Sequence, residues 1–137
     1  MRPTAGVIET VTGPIGDGDF TGALAHEHLF VDFLGPADPD YTRVDWNEVR
    51  AVCLERLAEV RREGVDLLVD CTCIGIGRNV RLLSDVSSSS GIRIVCATGI
   101  YKSLRPSELV DATADELADL FVRELTQGID DTRARAG

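Results

Sequence analysis

The sequence predicts an α/β fold in which successive βα units lay down a parallel sheet. Three observations carry that prediction. From Thr21 onward, apolar runs of strand length alternate with longer stretches of helical period, and the alternation occurs three times. The second of these runs is nearly continuous in apolar residues, as a strand is when helices cover it or a barrel closes around it. Finally, 137 residues with 44% apolar content match the size of one domain and supply enough apolar surface to bury a core.

Ahead of the units, Gly6 to Ile15 holds the β-branched run Val7-Ile8-Glu9-Thr10-Val11, broken by Gly13-Pro14, which predicts a short hairpin within residues 1–20. Residues 21–137 then carry the three βα units. The first strand runs near Gly22 to Phe30. Asp45 caps the helix after it, Glu48 completes a capping box, and Trp46, Val49, Cys53, Leu57 and Val60 form the apolar stripe. Gly64 ends this helix in the left-handed conformation. The second strand spans Val65 to Cys71 or Thr72. A Gly75-Ile76-Gly77 turn leads into a helix from Arg78 to Ser88 with Val80, Leu83 and Val86 inward, and Gly91 terminates it. The run Ser87 to Ser90 reads as the connection from helix to strand. The third strand is Ile92 to Thr98, followed by a loop from Gly99 to Pro106. Thr113 and Glu116 then form a second capping box, for a helix through Leu117, Leu120, Phe121 and Leu125 to Gly128. Asp130 to Gly137 is polar and without apolar period, which predicts a tail with no packed closing element.

Lys plus Arg number 14 and Asp plus Glu 23, a formal charge of −9 that argues against nucleic acid or an acidic membrane as partner. No apolar run approaches the roughly 18 residues of a membrane span, and Met1 to Ile8 has neither the basic nor the apolar region of an export leader. A cytoplasmic protein is expected. Cys53, Cys71, Cys73 and Cys96 lack CxxC spacing and read as buried thiols in a reducing compartment, ahead of a metal or disulfide site. Imidazole comes from His26 and His28 alone, both in one tripeptide, and Lys102 is the sole lysine.

At the carboxyl end of a strand, residues two apart project to the same side, so His26 and His28 face one way and Glu27 the other. Their Cα atoms are roughly 6.5–7 Å apart by strand rise, from which two imidazoles reach a common ion. The carboxyl ends of strands are also where ligands bind in βα architectures. The pattern equally fits two histidines that pack or hydrogen-bond to loop carbonyls. Glu27, facing away, reads as a structural acid that pairs with an arginine or caps a backbone group.

Several segments together resemble the phosphotriesterase family of amidohydrolase-type metal enzymes, in order and spacing over nearly the whole chain. They are Gly13-Pro14-Ile15, Ala25-His26-Glu27-His28-Leu29-Phe30, Val69-Asp70-Cys71-Thr72 with Ile76-Gly77-Arg78-Asn79-Val80, and Ala97-Thr98-Gly99-Ile100-Tyr101-Lys102. The resemblance implies a TIM-type (β/α)8 barrel with this chain as its amino-terminal part. It also implies a binuclear zinc or related divalent centre, and hydrolysis of phosphotriesters, lactones or similar esters through a metal-activated bridging hydroxide. His26 and His28 match the two first-strand histidines that bind the more buried metal. Tyr101 matches an aromatic position that lines the substrate pocket, although an aromatic packed under its own loop reads equally well there. Ile100 reads as packing, and Arg78 and Asn79 as solvated or capping residues at a helix start. A small-molecule ester substrate and a homodimer of the complete enzyme follow from the same resemblance.

The family's other ligands are a carboxylated bridging lysine on the fourth strand, histidines on the fifth and sixth, and an aspartate on the eighth. All match positions past Gly137, and Lys102 does not match the bridging lysine. No catalytic residue is therefore assigned within residues 1–137, which the resemblance makes an incomplete barrel domain of roughly half the usual 250 residues, ending before the fourth strand. Two other readings stand beside this one: a non-catalytic acidic α/β remnant or interaction module, and another metal-dependent TIM-barrel hydrolase such as a nuclease.

Overall fold

The β-branched run after Gly6 turns back on itself where Gly13-Pro14 interrupts it. Val7–Ile8 (β1) and Ile15–Gly16 (β2) pair antiparallel, with Val7 opposite Gly16 and Ile8 opposite Ile15. The computed structural model describes residues 6–137, so residues 1–5 of the predicted hairpin segment, and of the Met1 to Ile8 stretch, lie outside the described residues.

Three strands then form a parallel sheet in the order of the chain: Ala23–Glu27 (β3), Leu67–Asp70 (β4) and Arg93–Cys96 (β5). Each is shorter than its apolar run, because the flanking residues leave the ladder for loops. In the first unit Leu29 and Phe30 are already loop, and a register shift falls between Leu24 and Glu27. Leu24, Leu68 and Ile94 lie side by side in the register. Leu68, Ile94 and Cys96 join the core beneath the helices Trp46–Arg62 (α1) and Val80–Ser90 (α2), where Leu57, Val80, Val86 and Ile92 are also buried.

Local chemistry sets the helix ends. Asp45 accepts from the backbone N–H groups of Asn47 and Glu48, but no reciprocal bond from Glu48 is formed among the described residues, so this cap is half of the predicted box. At the other end Gly64, at φ +85°, donates to Arg61 O while Val65 donates to Val60 O, the paired bonds that satisfy the last carbonyls of a helix. Asn79 caps α2, whose first helical residue is Val80, not Arg78. The predicted serine connection is helix instead. Ser87 to Ser90 form the last turn of α2, where Ser87 is buried with its hydroxyl donating to Ile92 O at 2.7 Å, and Gly91 closes it. Ala114–Thr126 (α3) carries the full capping box of Thr113 and Glu116.

Two further expectations are corrected. The tail packs: Ala136 is buried, Ala134 O accepts from the N–H of buried Ile129, the residue before the tail, and Gly137 N–H donates to Cys96 O on the outer side of β5. The same edge receives Val11 N–H at Ile94 O, so segments from both sides of the sequence cover β5. Apolar burial together with the bonds from Ala136 N–H to Glu124 O and from Arg135 to Glu9 anchors a segment that has no period. Arg78 is neither solvated nor a cap. Its guanidinium is buried against the Glu124 carboxylate and also donates to Ala97 O, which ties the start of α2 to β5 and α3.

The four cysteines are free thiols; Cys53 and Cys96 are buried, whereas Cys71 and Cys73 are half-buried, because the loop after β4 carries them out of the core. Burial raises the thiols of Cys53 and Cys73 and pushes that of Cys96 up to about 12, so these three stay protonated at neutral pH. Among the described residues, no helix is long and apolar enough to cross a membrane.

Candidate metal centre

Glu27 pairs in register with Asp70, whose neighbours Leu68 and Cys96 face the core, so Glu27 points toward the helices and its two neighbours point to the opposite face of the sheet. There the rings of His26 and His28 meet edge to face, with centroids 5.5 Å apart and planes at 70°. Both are exposed. His26 lies within β3 and His28 one residue past its end, at the carboxyl edge of the sheet.

The loops around His28 are held by Asp70. One carboxylate oxygen of this buried residue accepts from Leu29 N–H and the other from Thr72 N–H, both at 2.9 Å. That clamp brings Thr72 beneath the imidazole, with its hydroxyl oxygen 3.0 Å from His28 Nδ1 and 3.3 Å from the carbonyl oxygen of Phe30. Asp70 and Thr72 stand in the Val69-Asp70-Cys71-Thr72 motif. Their relation to His28 was not readable from it, because it is formed across 44 residues of sequence. Glu27 itself makes neither the predicted arginine pair nor a side-chain cap among the described residues; its backbone carbonyl accepts from Cys71 N–H at 2.8 Å.

Tyr101 follows β5 on a segment fixed by the bridge between Ile74 and Ile100 and by its own N–H to Ile74 O at 2.8 Å. Its ring is partly exposed and rests edge-on against Phe33 from the loop after β3, centroids 5.7 Å apart. The structure thus brings the two histidines together, and Tyr101 together with Phe33. Phe33 and the neighbouring Leu34 are exposed apolar residues that the motif reading passed over. Among the described residues, no group of three or more His, Cys, Asp or Glu side chains is placed to hold a metal ion.

The donor set of the histidine pair fits one side of a divalent site. Two imidazoles present nitrogen donors from adjacent positions, and His28 has its Nδ1 engaged, which leaves Nε2 open. Tetrahedral zinc takes four ligands, so the pair supplies half of such a set.

The phosphotriesterase homology protein of Mycobacterium tuberculosis strain H37Rv is 33% identical over 141 residues, covering 95% of this chain and 43% of that protein. The aryldialkylphosphatase of Saccharolobus solfataricus is 33% identical over 122 residues, covering 87% of this chain and 38% of that enzyme. The chain therefore spans about two fifths of the length of these relatives. A solved PTE-like lactonase variant from Deinococcus radiodurans superposes with a TM-score of 0.81 at 30% identity, over 98% of this chain and 43% of that one. The three βα units accordingly take the fold of the amino-terminal part of a TIM barrel of this kind. The model of the phosphotriesterase family matches residues 6–137, and with the fold and the relatives in agreement, the chain belongs to that family.

Proposed function

We propose that residues 1–137 are the first portion of a metal-dependent hydrolase barrel domain, in which His26 and His28 bind a divalent ion, zinc being the ion and a binuclear centre the complete site. The reaction is hydrolysis of an ester bond in a small-molecule substrate, a phosphotriester or a lactone or carboxylic ester. The observation that carries this reading is the contact between the two imidazoles on the open face of the sheet, at the carboxyl end of β3. The names of the relatives support the substrate class: one is an aryldialkylphosphatase and one a PTE-like lactonase.

A divalent ion in such a site acts as a Lewis acid toward a phosphoryl or carbonyl oxygen and acidifies water at neutral pH. The chain's own residues bind and orient. His26 and His28 contribute neutral nitrogen donors, Asp70 fixes the loops that carry His28 and Thr72, and Tyr101 with Phe33 offers an apolar wall to the substrate's non-reacting groups. The remaining ligands come from segments matching the rest of the relatives' length. The same reading includes a homodimer of the complete enzyme and, from the free thiols, a reducing cytoplasmic setting.

Cobalt(II) titration followed by absorbance tests the ligand assignment: His26→Ala and His28→Ala each weaken binding at least about tenfold. Equal affinity in the wild type and both variants overturns it. In the protein extended through the family's remaining strands, hydrolysis of aryl esters, lactones and phosphotriesters is lost on chelation and restored by zinc; turnover insensitive to chelator removes the metal mechanism.

A further inference from the structure

We propose that Thr72 is a positioning residue for His28: its hydroxyl oxygen accepts the Nδ1 proton and holds the imidazole in the tautomer whose Nε2 lone pair is open. This rests on the metal reading above and adds a residue outside the His-x-His pair.

A hydroxyl has one proton to donate and two lone pairs to offer. Thr72 Oγ1 has two partners, the Phe30 carbonyl oxygen at 3.3 Å and His28 Nδ1 at 3.0 Å. A carbonyl oxygen accepts and never donates, so both contacts are hydrogen bonds in one arrangement alone: the Thr72 proton goes to Phe30 and a lone pair faces His28, whereas a proton given to Nδ1 would leave the Phe30 contact without one. Nδ1 is then the donor. A neutral imidazole carries a single N–H, which leaves Nε2 unprotonated, as a metal ligand requires.

The surroundings make this arrangement a fixed one. Thr72 is 2% exposed and Asp70 1% exposed, so neither side chain has water to turn to. The Asp70 carboxylate bonds the N–H of Thr72 and the N–H of Leu29, the residue after His28, and so holds hydroxyl and imidazole in register across two strands. A β-branched side chain keeps few rotamers, which suits threonine to the place. Because the His26 ring lies against that of His28, a turn of the latter would also disturb the pair.

Nitrogen-15 NMR of the histidines, in the metal-free chain at a pH about 1.5 units above the ordinary imidazole value of about 6.5, reads the tautomer directly. The wild type shows His28 mainly as Nδ1–H. Thr72→Ser keeps that state, and Thr72→Val shifts His28 toward Nε2–H. In cobalt(II) titration Thr72→Val binds roughly 10–100-fold more weakly, while Thr72→Ser stays close to wild type. The proposal is overturned by a wild type in which His28 is mainly Nε2–H, a result that needs no variant to fold. It is also overturned if Thr72→Val matches the wild type in cobalt affinity while His28→Ala does not. If neither His26→Ala nor His28→Ala changes cobalt binding, the metal reading has failed, and the tautomer ratio in wild type, Thr72→Ser and Thr72→Val decides the role of Thr72.

Discussion

Arg78 and Glu124 meet through two hydrogen bonds of 2.7 and 2.6 Å, with side chains 5% and 3% exposed. Thr98 adds a third donor to the same carboxylate at 2.6 Å. Removing the acid strands a buried guanidinium, so Glu124→Gln lowers stability by about 3–5 kcal/mol in urea unfolding. Burial by itself would push the Glu124 carboxyl up, but the hydrogen bonds from Arg78 and Thr98 and the Arg78 charge outweigh it and hold the group below its ordinary value. A folded-state value below the unfolded one contributes stability above the unfolded value of about 4.3, and that contribution is lost as pH falls through the folded value. Urea midpoints of the wild type therefore fall below about pH 4.3 more steeply than those of Glu124→Gln. From its place at a helix start Arg78 read as a solvated or capping residue. Its burial on Glu124 was not legible, since 46 residues separate the two and no local spacing links them.

At the scale of elements, caps and apolar stripes were the readable signals because both act within a few residues. Asp45, Asn79 and Thr113 all cap helices, and Leu57, Val80, Leu83 and Val86 all bury. Serines 87 to 90 misled because serine competes with helix hydrogen bonding in an isolated chain. Here burial of Ser87 and its bond to Ile92 O favour the extra turn. The tail misled for a similar reason, having no period from which to read packing. Ile129→Ala measures the packing at the root of the tail: loss of a fully buried isoleucine costs about 2–5 kcal/mol in urea unfolding, whereas an unpacked residue there would lose less than about 0.5 kcal/mol.

For the whole molecule, the three-stranded sheet leaves the outer edge of β3 unpaired among the described residues, and α3 presents exposed Val122 and Leu125 one turn apart. Unpaired strand edges and apolar helix faces promote association. Sedimentation velocity of the chain should show association that grows with concentration. Val122→Lys with Leu125→Lys should weaken it while changing stability by less than about 1 kcal/mol, and a monomer at all concentrations would contradict the expectation.

The order of elements, the three βα units, the hairpin and the helix caps were determined by the sequence alone, because each depends on interactions within a turn or on a local apolar period. So was the family, through motifs in fixed order. The burial of Arg78 on Glu124, the docking of the tail on β5 and the placing of Thr72 beneath His28 were decided only by tertiary structure. Each joins residues tens of positions apart: the register of the parallel sheet sets Thr72 against His28, and the packing of α3 and the tail around β5 makes the other two, neither of which any one segment of the chain contains.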